Sequence, residues 1–172
     1  QEGHRFNFNK LLLDPFATAI TQLPDWDFVP ACGYDSNAAE KDLAFSKVHD
    51  AGAMPKCVFT HEQFHWHDDL PLRHPWPQTV IYETHVRGFT IHPSAGVEHS
   101  GTYRGLMEKI PYLTELGVTA LELMPVHEFN ESQEPDINPQ TDNQLRNNWS
   151  NDTIASFTPN EPYNSAGGYR HH

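Results

Sequence analysis

Apolar and polar positions keep a sustained rhythm in only one long part of the chain, residues 79–126. Residues 79–85 are rich in β-formers (Val80, Ile81, Tyr82, Thr84) and run into Arg87-Gly88, which predicts a short strand. Residues 103–116 carry Leu106, Met107, Ile110, Leu113 and Leu116 at helical spacing, which predicts one amphipathic helix. Residues 118–123, VTALEL, read as a second strand closed by Met124-Pro125. A strand, a long helical crossover and another strand predict a βαβ unit with parallel strands. Sheets of this kind bind ligands past the strand ends, here at residues 85–89 and 124–128.

Elsewhere the pattern is weaker. Phe6 and Phe8 alternate in a polar arm, and residues 11–13 form an apolar anchor before an Asp14-Pro15 turn. Residues 16–20 read as one or two helical turns. Residues 22–50 show no period and are expected to form a long surface excursion. Residues 57–60, CVFT, are a strand candidate. His74-Pro75-Trp76-Pro77 is a stiff linker, since each proline fixes φ and restrains its predecessor. A domain boundary is placed there, giving residues 1–77 and 78–172. Residues 130–164 are dominated by Asn, Gln, Asp, Ser and Pro and read as a long loop after the second strand.

Composition narrows the partners. A net charge of -12 argues against nucleic acid or an anionic membrane, both of which need clustered Lys and Arg. No apolar run approaches a membrane span and no signal peptide is visible, although the chain begins with Gln1 rather than Met. Cys32 and Cys57 lack CxxC spacing, so two free thiols are expected rather than a disulfide framework or a zinc site.

Several polar groupings carry candidate chemistry, each with a plainer alternative. Glu83, His85 and Arg87 alternate, so on an extended strand they share one face and line a pocket, or else Arg87 merely neutralises Glu83. Glu122, between two leucines, would point into a barrel interior and could pair with Glu83 for acid/base work. His65-Trp66-His67-Asp68-Asp69 falls short of the three or four convergent ligands a metal needs. Glu128, Asn130, Glu131, Glu134 and Asp136 make an oxygen-rich loop of the kind calcium favours, or a solvated loop, since the spacing differs from the twelve-residue calcium loop. Trp26, Trp66, Trp76 and Trp149 all sit in loop-like stretches, where an indole either stacks on a sugar or plugs a loop onto the core.

Residues 80–103 (VIYETHVRGFTIHPSAGVEHSGTY) and 108–131 (EKIPYLTELGVTALELMPVHEFNE) resemble the opening of the catalytic barrel of isoamylase-type glycogen and starch debranching enzymes, in the α-amylase superfamily. Residues 5–20 (RFNFNKLLLDPFATAI) and 53–59 (AMPKCVF) resemble the segments that join an N-terminal β-sandwich to that barrel. The resemblance implies an α/β fold. Residues 78–172 would be the truncated start of a (β/α)8 TIM barrel, and residues 1–77 an irregular linker region following a β-sandwich domain. It also implies a parent glycosidase that cleaves α-1,6 branch linkages in glycogen or amylopectin with retention and requires no cofactor. The compartment implied is the bacterial cytoplasm or, in a eukaryote, the plastid stroma. The family's nucleophilic Asp, acid/base Glu and second Asp follow its fourth, fifth and seventh strands, so this stretch is expected to be inactive alone. A non-catalytic α-glucan-binding protein or a decayed remnant is the alternative. After its second strand the family shows Asn-Tyr-Trp-Gly-Tyr, then Asp or Asn, then Pro. The matching positions here are Asn147, Asn148, Trp149, Ser150, Asn151, Asp152 and Thr153. The second family tyrosine stacks on sugar, and Asn151 has no π-face. The resemblance therefore sets Trp149 and Asn151 beside the cleft, with His85, Arg87, Met124 and His127 lining one wall; Glu128, Asn130 and Glu131 of the oxygen-rich loop are the candidate calcium ligands.

Overall fold

A computed structural model describes residues 6–21, 28–35, 37–40, 43–61, 64–131, 137–143, 145–149 and 151–166. Strands β1 (Ile81–Thr84) and β2 (Ala120–Leu123) pair in parallel, in register from Ile81 opposite Ala120 to Thr84 opposite Leu123. The ladder continues at both ends. The N–H groups of Thr119 and Ala120 donate to the Val80 carbonyl, and Met124 N–H donates to Thr84 O at 2.9 Å. The expected parallel pairing is thus present, as a two-stranded sheet.

The crossover departs from one continuous helix. It is α3 (Tyr103–Glu108) followed by α4 (Ile110–Glu115), with Lys109 between them at φ -90, ψ -1. Pro111 explains the break: it has no N–H for the Met107 carbonyl, and its ring crowds that carbonyl. Thr102 caps α3, its hydroxyl accepting Gly105 N–H at 3.2 Å. Of the five apolar positions, only Leu106 and Leu113 are buried, while Met107, Ile110 and Leu116 are more than half exposed. A glycine is required at position 105, because a Cβ there would collide with the His99 carbonyl.

The strand run also stops earlier than its β-formers predict. His85 is the N-cap of a short helix, α2 (Val86–Thr90), so Arg87 lies on that helix and not on the face shared by Glu83 and His85. Among the described residues no ion pair joins Arg87 to Glu83. Glu83 and Glu122 are direct neighbours across the sheet, both exposed.

Residues 130–164 are more than a loop. Strand β3 (His127–Phe129) pairs antiparallel with β4 (Thr153–Pro159), with irregularities in register on either side of Glu128. Along β4, Ala155 and Thr158 are buried and Ile154 half-buried, while Thr153, Ser156, Phe157 and Pro159 are exposed, so burial does not follow a strict two-residue period. One core cluster joins Val86, Leu106, Phe129 and Tyr163, with Phe89, Tyr103 and Val126 against it. A second joins Ala17 and Ile20 to Ala155, with Leu13 and Ile154. Thr158 Oγ1 donates to Ala17 O at 2.9 Å, and Phe16 stacks on Phe157.

The N-terminal part holds together mostly by polar contacts. The CVFT candidate reduces to a single antiparallel bridge, Cys57 with Ile20, and residues 16–20 form no helix. One short helix, α1 (Phe28–Ala31), interrupts the excursion. Buried Lys10 spends its three donors on Pro30 O (2.7 Å), Ser46 Oγ (3.1 Å) and Val48 O (2.6 Å). Asn7 Nδ2 donates to Gly33 O and Ser46 O, and the Asp50 carboxylate accepts Leu11 N–H. Such anchoring suits a segment whose apolar side chains are mostly exposed, because polar contacts then hold what little is buried. Among the described residues no helix is long and apolar enough to cross a membrane.

Candidate functional site

The site lies past the C-terminal ends of β1 and β2, where His85 and Met124 follow the strands. His85 is its hub. Gly88 N–H donates to His85 Nδ1 at 2.9 Å, which leaves the ring proton on Nε2. Nε2–H then faces two acceptors, the Asn148 carbonyl at 2.7 Å and the Tyr163 hydroxyl at 3.0 Å. A carbonyl can only accept, so both ends of the ring specify the same tautomer. The ring also packs edge-on against Tyr163, with centroids 5.6 Å apart.

Tyr163 is reached through a short 3₁₀ turn, Glu161–Tyr163, and is almost fully buried. Tyr103 packs edge-on against it from α3 and donates its hydroxyl to Val126 O at 3.0 Å. Burial holds the Tyr103 phenol above its usual range. Composition gave no sign of Tyr163. Its one signal is its place in the turn after β4, and β4 itself is hidden in a polar stretch.

The segment that carries Trp149 is tied down at three points. Arg146 pairs with the Glu131 carboxylate at 3.3 Å, Asn147 N–H donates to Glu131 O at 2.9 Å, and Asn148 O accepts from His85. Trp149 N–H closes a turn on Asn147 Oδ1 at 3.0 Å, and its indole is 61% exposed. The structure therefore brings His85, Tyr163, Asn148 and Trp149 together. Met124 is half-buried at the end of β2. His127, Arg87 and Asn151 are exposed, and no hydrogen bond joins their side chains to this group among the described residues.

The oxygen-rich positions serve separate partners. Glu128 accepts Glu161 N–H at 3.0 Å, Glu131 holds Arg146, and Asn130 is buried. Burial pushes the Glu128 carboxyl up to about 7, with the Glu161 N–H acting against that and the charges of Glu161 and Glu131 adding to it. Among the described residues no three His, Cys, Asp or Glu side chains converge as a metal site requires. Glu134, Asp136, Trp26 and the terminal His171-His172 lie outside the described residues. His65 and His67 are exposed, their ring centroids 6.3 Å apart.

Comparison with known proteins places the chain in a class: it is of the isoamylase type. It is 37% identical over 166 residues to isoamylase 1, chloroplastic, of Arabidopsis thaliana, and 39% identical over 165 residues to the protein of the same name in Oryza sativa subsp. japonica. These matches cover 96% of this chain but only 19% and 18% of the relatives, so the chain spans about a fifth of their length. Among solved structures, the pullulanase of Anoxybacillus sp. LM18-11 superposes over 90% of the chain and 19% of its own, with a TM-score of 0.55 and 22% identity. Its complex with maltotriose gives 0.54 over 92% of the chain and 20% of its own, at 20% identity. Those two likenesses establish a shared fold. No family model matches the chain.

Proposed function

We propose that this stretch forms one wall of an α-glucan cleft in a debranching glycosidase that hydrolyses α-1,6 branch linkages of glycogen or amylopectin with retention. In this reading β1, α3, α4 and β2 are the first βαβ unit of a (β/α)8 barrel. The groups that cut the bond are carried outside this stretch, and the hydrolysis needs no cofactor. The observation that carries the reading is the His85–Asn148 hydrogen bond, which holds an exposed tryptophan beside the ends of two parallel strands. An indole face suits the apolar face of a glucose ring. The pullulanase with a similar fold has been seen with maltotriose, which supports an α-glucan as the ligand class. The plant relatives are chloroplastic, which supports the plastid stroma as the compartment in a eukaryote.

Titration with maltotriose tests the binding part. The tryptophan emission of the 172-residue chain should change, and Trp149→Ala should remove the change. No response at millimolar sugar would count against the wall. Release of linear chains from glycogen by the same protein would overturn the claim that the cutting groups lie elsewhere.

A further inference from the structure

We infer that His85 is a positioning residue, whose single Nε2–H sets where Trp149 stands. The two ring nitrogens divide two tasks. Nδ1 accepts Gly88 N–H and caps α2, which fixes the ring plane at the end of β1. Nε2–H reaches 63 residues along the chain to the Asn148 carbonyl, one residue before Trp149. Tyr163 fixes the ring from the other side, its hydroxyl 3.0 Å from Nε2 and its buried ring edge-on to the imidazole. With the cap and the tyrosine both set, the imidazole cannot rotate without losing one of them. The Asn148 carbonyl is therefore held at a defined point. The Asn147 N–H bond to Glu131 O fixes the residue before it. Anchors at two successive residues, Asn147 and Asn148, hold the Trp149 backbone beside the end of β1. The value of that placement for sugar binding rests on the glucan-cleft reading above; the placement itself does not.

The two tasks can be separated by substitution. Asparagine at 85 offers an acceptor near the Nδ1 position and keeps the cap but falls short of Asn148. Glutamine offers a donor near the Nε2 position and keeps the reach. We expect the 172-residue chain labelled with 5-fluorotryptophan, its signals assigned with Trp149→Phe, to show a Trp149 resonance displaced from the random-coil position. His85→Asn should move that resonance to the random-coil position, and His85→Gln should leave it displaced. Equal behaviour of the two variants would overturn the inference. Nitrogen-15 shifts of His85 in the unsubstituted chain give a check that needs no variant. A protonated Nε2 with a bare Nδ1 is expected, and a protonated Nδ1 would overturn the inference. Maltotriose added to the same samples reads the glucan-cleft proposal separately. A displaced resonance that ignores sugar would sink that proposal and leave the positioning role standing.

Discussion

Glu128 makes the fold pH-dependent at one residue. Its carboxyl is raised from 4.5 to about 7 in the folded chain, chiefly by burial. Between those values the folded chain holds a proton that the unfolded chain has released, so stability falls as pH rises. Stability from this group is greatest below 4.5 and its loss is complete above about 7. Urea midpoints measured from pH 4.5 to 8 should decline, and Glu128→Gln should flatten that decline; an unchanged slope would show that another group sets it. Lys10 gives a second residue-scale expectation. Lys10→Met removes the partner of two carbonyls and a hydroxyl at a buried point, and should cost about 1–3 kcal/mol. A chemical-denaturation difference near zero would show that water replaces the ammonium. Neither role was legible in the sequence, where Lys10 closes a polar arm and Glu128 is one acid among several. Burial depends on what packs above a residue, and for both the covering groups come from distant parts of the chain.

At the scale of elements, the local patterns that predicted most reliably were those where neighbours in sequence decide the outcome. β1 and β2 follow from their runs of β-formers, and their parallel pairing follows from the length of the crossover. The crossover helix was over-extended, because apolar spacing ran through Pro111 and outweighed the break that proline imposes. Pro111→Ala should restore the missing N–H and let α3 and α4 merge, raising the helical signal in far-UV circular dichroism. Unchanged helicity would mean that the packing of Leu106 and Leu113, rather than the proline, sets the bend. β4 was missed for another reason: its burial keeps no clean two-residue period, and it lies in a stretch of Asn, Asp, Ser and Pro, whose composition reads as loop. With β4 hidden, the turn that delivers Tyr163 was hidden too. The position of His85 and Met124 past the strand ends therefore followed from the strand runs, but the tie that joins His85 to Trp149 did not.

On the scale of the whole molecule, apolar surface outruns what the two small clusters can cover. Ile81, Leu121 and Leu123 of the parallel sheet are exposed, as are Met107, Ile110 and Leu116 of the crossover, and Phe59, Phe64, Trp66, Leu70, Leu72 and Trp76 before it. A two-stranded sheet is marginal without further layers, and single domains are only marginally stable to begin with. The 172-residue chain studied by itself should bind a dye such as ANS and unfold over a broad range of urea. A sharp transition with no dye binding would show that the clusters suffice. The mixed α/β character could be read from the sequence because the strand, crossover and strand follow one another along the chain. The packing of residues 13–20 on β4 could not, because nothing in either segment names the other.

That packing has a consequence for how the chain is made. The Thr158–Ala17 hydrogen bond joins residues 141 apart. A ribosome adding roughly 5–20 residues per second leaves residues 13–20 without their β4 partner for about 7–28 s. Throughout that interval Leu13, Phe16 and Ile20 stand open to a holding chaperone or a protease. Residues 13–20 thus leave the ribosome long before the strand that covers them.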